Sequence, residues 1–450
     1  MNNLSLQYKN HFLYRKSVFN TDWLYIMPVV SVILLIFADK TSLFSYGYSI
    51  LLLLLASHVL CRNEKHDLLF SYHFYLLFAI TFYLIFKSQF PAFLGMNGGD
   101  AVMDDSRFYA QIVGWHVNYD IPYKLGTMPF VLLLKFLYPF NVYTPLNIII
   151  FIAIFTGFLP IYVRRFAILL TNDRRIGKYS FIYSLICPFT LYFGCIILRE
   201  SFTALMVVAG LCYFVEKKFV PLFVCIIALA WVRFGTLSFL ICGMIILYRF
   251  QLKRKTRTDF YFMLLLTAVV TLFYLSLPFI QEFSGGKLES GIIRSTESER
   301  YEDSTIGKLM EMPFPLNIFL SALFFIFIPL FGIPHPNHGH YLVGSVFQGF
   351  LTPLFMFFLW KNIFNASLVA LYEKHSESAK KILYLVLLFA LLLGTISMQS
   401  RHKTVLFPFL CMLAAYGKVY YYKRFDGFSV LLASIVIVPM IIMAIINFFR

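Results

Sequence analysis

The chain has 450 residues, of which 60% are hydrophobic, 19% aromatic and 13% charged, with a formal net charge of +16. Soluble domains carry about 25% charged residues, so the composition excludes a string of soluble domains. The positive balance is not a nucleic-acid footprint, because Lys and Arg gather in short segments between apolar runs, the bias that orients membrane proteins.

Runs such as 23–37, 46–60 and 430–446 are apolar all round and lack the alternation of barrel strands, so they read as helices. A crossing helix needs about 20 apolar residues. The pattern predicts an all-α, polytopic membrane protein, a single membrane domain over 1–450, with about 13 transmembrane helices. Taken in order, the spans fall near 21–37, 46–60, 68–86, 145–163, 179–198, 201–215, 219–233, 234–250, 260–280, 342–360, 383–398, 404–420 and 428–449. The basic N-terminus (Lys9, Arg15, Lys16) lacks a small-residue cleavage site, so 21–37 is read as a retained first span.

Two apolar stretches, 126–140 and 316–333, are set aside as re-entrant or interfacial; the first carries Lys135, Pro129 and Pro139. Only then do Arg164, Arg165, Arg174, Arg175, Lys178, Lys217-Lys218, the 249–257 cluster, Lys380-Lys381 and Lys423-Arg424 share one side, the cytoplasm. On that topology the N-terminus is cytoplasmic and two long loops, 87–125 and 281–315, face outward. Together they hold half of the 22 acidic residues, including Asp100, Asp104, Asp105 and Asp120 in the first.

Three arginines interrupt apolar sequence: Arg199 in Ile196-Ile-Leu-Arg-Glu-Ser201, Arg233 in Trp231-Val-Arg-Phe-Gly235, and Arg401 in Gln399-Ser-Arg-His-Lys403. A charge at membrane depth costs roughly 2.5–3.5 kcal/mol on insertion scales, so it faces protein or a polar cavity. The topology puts all three at outer ends of spans. Arginine's fork of donors matches phosphate and carboxylate oxygens, which suggests an anionic ligand. The competing reading is that each arginine pairs with a neighbour, Arg199 with Glu200 above all, or snorkels to the interface.

In the first outer loop, Asp104 and Asp105 precede Arg107 and Tyr109. Adjacent carboxylates serve as a general base or bind metal, and equally make an N-cap for 106–114. His335, His338 and His340 form a loop cluster suited to proton transfer or acceptor contact, to metal, or to no role at all. The seven cysteines show no metal-ligand spacing and read as small buried apolar residues. No phosphate-cradling loop or nucleotide fingerprint is present, so energy coupling by ATP within the chain is not expected.

Three places carry a family resemblance. They are Asp104-Asp105-Ser-Arg-Phe-Tyr109 in an early outer loop, Pro188 through Leu198-Arg199-Glu200 followed by a span and Arg233, and Arg401-His-Lys403 with Pro408 and Ala414-Ala-Tyr-Gly417 beyond. In these the chain resembles GT-C-type membrane glycosyltransferases, and among them O-antigen (Wzy-type) polysaccharide polymerases. His402 stands where the late pattern has an aromatic. The resemblance implies a GT-C-like fold in the bacterial inner (plasma) membrane. It implies transfer of an undecaprenyl-pyrophosphate-linked glycan onto another lipid-linked repeat unit at the outer face, in O-antigen or capsular polysaccharide assembly. Asp104, Asp105 and His402 would be catalytic. Arg199, Glu200, Arg233, Arg401, Lys403, Tyr109, Arg107 and His338 would bind substrate, with no cofactor and no metal. Partners would be the bilayer, the lipid-linked oligosaccharide, and chain-length regulator and flippase proteins, with no nucleic acid. The alternative is a transporter or flippase of a polar lipid or solute, which intramembrane arginines serve as well. A non-catalytic envelope scaffold is a third reading.

Overall fold

The computed structural model describes residues 22–89, 128–137, 144–251, 351–373, 377–396, 404–420 and 426–431, with single positions 18, 313, 316, 320 and 434. Among the described residues the chain is helical, with no strand. The helices are α1 (Trp23–Ala38), α2 (Ser42–Leu60), α3 (Lys65–Gln89), α4 (Met128–Leu137), α5 (Pro145–Thr171), α6 (Arg174–Leu185) and α7 (Pro188–Gly194). They continue with α8 (Glu200–Val215), α9 (Phe219–Val232), α10 (Phe234–Gln251), α11 (Thr352–Tyr372), α12 (Glu377–Ile396) and α13 (Phe407–Val419). Four described helices are long and apolar enough to cross a membrane: Ser42–Leu60, Lys65–Ile85, Pro145–Thr171 and Leu354–Tyr372. Shorter apolar helices include Glu200–Val215, Phe219–Val232, Gly235–Phe250 and Phe407–Val419. Their lipid-type side chains stay exposed, as Phe223, Val224 and Trp231 do on α9.

Helix α5 forms the centre, buried along almost its whole length against α3, α6 and α8. Thr144 starts it from extended backbone, its hydroxyl accepting the Asn147 N–H at 3.4 Å, with Pro145 at the first helical position where no donor is needed. Asn172 ends it in the left-handed region (φ 55°), and Asp173 at once caps α6 by accepting the Arg175 N–H at 2.8 Å. Helix α8 ends in paired bonds, Lys218 N–H to Tyr213 O (2.9 Å) and Lys217 N–H to Phe214 O (3.1 Å), with Lys217 at φ 58°. Backbones approach closely where side chains are absent. A Cβ on Gly157 of α5 would lie 3.0 Å from Tyr72 Cα of α3, and one on Gly417 of α13 would lie 1.8 Å from Asn362 O of α11.

Contacts between helix ends sort them into two faces. Arg165 Nη1 donates to Leu60 O (3.5 Å), Ser378 Oγ to Leu170 O (2.8 Å) and Tyr420 Oη to Asp173 Oδ2 (3.4 Å). The ends of α2, α5 and α13 therefore share a face with the starts of α3, α6 and α12. Arg165 also binds Glu216, adding the end of α8 to the same face. The 16 residues of α8 rise about 24 Å, so its start lies at the opposite face.

Two expectations need correction. Arg164 and Arg165 are not loop charges: α5 runs on to Thr171, and both are buried and paired within it. The span 179–198 is not one helix. It stops at Leu185, restarts at Pro188 as the seven-residue α7, and unwinds again after Gly194. Pro188 cannot donate to the ladder, and its ring restricts Cys187, which is extended (ψ 114°). The seven cysteines are free, and all but Cys242 are buried, as expected of small apolar residues.

Candidate functional site

The backbone leaves the helix at 186–187 and again at 195–199, where Cys195 to Leu198 are at most 4% exposed. Irregular backbone at membrane depth persists only inside protein or beside a polar cavity, because its polar groups need partners. Neighbouring helices supply some of them. Thr156 Oγ1 of α5 lies 3.2 Å from Gly194 O, Tyr75 Oη of α3 donates to Ser184 O at 3.1 Å, and Leu198 N–H turns back to Ile196 O at 2.8 Å. Gly194 is held against Thr156: a Cβ there would lie 2.4 Å from its methyl. The break ends at Arg199, which occupies the N-cap of α8 with no side-chain cap.

A second break lies beside it. Arg233, extended at φ −159°, is the one residue between α9 and α10. Its Nη1 donates to Glu200 Oε1 at 2.8 Å, while Arg199 Nη1 donates to Val232 O at 3.0 Å. Each charge meets the helix end of opposite sign, Glu200 in the first turn of α8 and Arg199 at the last carbonyls of α9. The three side chains carry two positive charges and one negative, and those of Arg233 and Glu200 are 15% and 1% exposed. Glu200 thus pairs across the junction with Arg233.

Ser201, in the first turn of α8, is a site residue that sequence reasoning passed over. It is 2% exposed, and its hydroxyl has no protein partner among the described residues. Next to it, Phe202 packs edge-on against Phe155 of α5 (5.0 Å between centroids) and tilted against Phe130 of α4 (6.0 Å). The ten described residues of α4 reach about 15 Å, short of a bilayer crossing.

Of the residues singled out in the sequence, Arg199, Glu200 and Arg233 come together. Asp104, Asp105, Arg107, Tyr109, His338, Arg401, His402 and Lys403 lie outside the described residues, as does most of both long loops and of 316–333. The chain that follows Lys403 reaches the start of α7: Thr404 is buried, and Phe407 stacks on Phe189 at 4.7 Å. Two guanidinium groups, a carboxylate and a buried hydroxyl thus belong to the start of α8 and the α9–α10 junction beside it. Comparison with family models, with curated proteins and with solved structures gives no match to this chain.

Proposed function

We propose that the chain is a membrane glycosyltransferase of the GT-C type. It transfers a glycan from undecaprenyl pyrophosphate to a second lipid-linked repeat unit at the outer face of the bacterial inner membrane. The observation that carries this reading is the meeting of Arg199 and Arg233 at two adjacent helix breaks. In that dry setting fixed donors can stabilise the charge that grows on a departing lipid pyrophosphate. Arg401 would join them from the segment before α13, and Asp104, Asp105 or His402 would take the acceptor proton. About 13 spans and a cytoplasmic N-terminus complete the arrangement. Its support is the exposed Arg174, Arg175, Lys178, Lys217, Lys218 and Lys418 on the face opposite the arginine site. Chain-length regulator and flippase proteins are the expected partners.

The test is the length distribution of envelope polysaccharide in cells whose only copy is Arg199→Ala or Arg233→Ala, at matched membrane levels. Loss of long chains in both supports the reading, and unchanged ladders in both overturn it.

One observation favours a transporter or flippase instead: a helix unwound at depth beside charged residues also builds substrate sites in transporters. Purified chain in proteoliposomes separates the two. The enzyme lengthens lipid-linked glycan on one leaflet, whereas a flippase moves it between leaflets unchanged.

A further inference from the structure

At the face opposite the arginine site, four helices meet in a buried ionic seam. Arg164 of α5 pairs with Asp67 of α3, whose other oxygen accepts the Val18 N–H at 2.8 Å. Arg165 grips Glu216 with Nε at 2.5 Å and with Nη2, and its guanidinium lies 5.8 Å from the ring centres of both Tyr162 and Tyr213. Two arginines are thereby matched by two carboxylates. Lys218 touches Glu216 from the surface at 3.0 Å, its side chain half exposed.

A third carboxyl has no such match. Glu64 lies in the 3₁₀ turn Arg62–Glu64 that links α2 to α3, outside the spans, and is 5% exposed. Its Oε1 has no protein partner among the described residues. The groups that act on it are Cys61 at the end of α2, Asp67 of α3, Arg164 and Arg165 of α5, Cys212 of α8, and Glu216 beyond it. Ionised, it would be a third negative charge among two arginines already engaged, beside Asp67 and Glu216.

We propose that Glu64 is a proton-binding site that sets the strength of this seam. With the proton on, the Arg164–Asp67 and Arg165–Glu216 pairs hold α5 to α3 and α8. When the O–H bond breaks and the proton leaves to water on that face, the new carboxylate competes for the arginines and loosens both pairs. Burial supports this: it outweighs the pull of the arginines and, with the two acidic neighbours, raises the Glu64 pKa to about 7.

The sign follows from linkage. A carboxyl whose pKa is higher folded than unfolded stabilises the fold below its unfolded value of 4.5, and the contribution fades as pH rises through about 7. The test is thermal unfolding of the full chain in lipid nanodiscs from pH 4.5 to 9, with infrared spectra of the protonated carboxyl. The wild type is expected to lose stability up to about pH 7 and then level off, its unfolding constant rising on the order of a hundredfold. Glu64→Gln, which copies the protonated form, should flatten that window and remove a carbonyl band that bleaches near pH 7. Asp67→Asn should free Arg164 and move the midpoint down. Identical profiles and bands in wild type and Glu64→Gln, or an unmoved midpoint in Asp67→Asn, overturn the proposal.

Discussion

Arg233 Nη1 meets Glu200 Oε1 at 2.8 Å although the two residues are 33 positions apart, and this pair ties the start of α8 to the α9–α10 junction. Both partners are largely buried, so removing either breaks a buried pair, at a cost of about 3–5 kcal/mol. Glu200→Ala and Arg233→Ala should each lower thermal stability by that order, and the double variant by less than the sum. The charge-swapped chain, Glu200→Arg with Arg233→Glu, separates structure from function. It should recover much of the stability of either single variant while polysaccharide chains stay short. A swap that restores full-length chains would make the pair structural alone.

Ser201 gives a prediction of opposite sign. A buried hydroxyl without a protein partner costs about 1–3 kcal/mol, so Ser201→Ala should stabilise the chain, by about 1 kcal/mol. If the hydroxyl serves the ligand, the same change lowers transfer activity. Higher melting temperature with shorter glycan ladders is the expected combination. Higher stability with unchanged ladders would remove Ser201 from the site.

The all-helical class was legible because apolar runs with no alternation leave helix as the fitting structure at membrane depth. Arg199 and Arg233 were legible as neighbours because charges inside apolar sequence need polar company. What escaped was continuity. Arg164-Arg165 are followed by Phe166-Ala-Ile-Leu-Leu170, an apolar tail that marks them as inside a helix, yet reading them as loop charges cut α5 short. Their partners Asp67 and Glu216 lie 97 and 51 residues away, a distance no local pattern bridges. The break at 186–199 had one local signal, Pro188. The unwinding after Gly194 depends on Thr156 and Tyr75 of other helices, which only the packing brings near.

Arg165 makes the seam at the end of α8 depend on shape as well as charge. Its planar fork engages both oxygens of Glu216 and lies beside two tyrosine rings, 5.8 Å from each centre, geometry that lysine cannot reproduce. Arg165→Ala should destabilise by about 3–5 kcal/mol, as expected for breaking a buried pair. Arg165→Lys should recover less than half of that loss in a thermal melt of the chain in nanodiscs. Full recovery by lysine would show that the charge alone holds α8 to α5.

Gly417 closes the Ala414-Ala-Tyr-Gly segment of α13, and its packing gives it a role that needs no substrate. A Cβ there would sit 1.8 Å from Asn362 O, a backbone atom, so α13 and α11 would have to part. Overpacking of this kind costs typically 1–3 kcal/mol, more where the obstacle is backbone. Gly47 of α2 is the matched control, because a Cβ there meets nothing within 4 Å. Alanine at 47 should be neutral or stabilising, by up to about 1 kcal/mol from helix propensity. Alanine at 417 should lower the melting temperature of the purified chain by several degrees. Equal melting temperatures for the two variants would mean that the α11–α13 contact is looser than 1.8 Å implies.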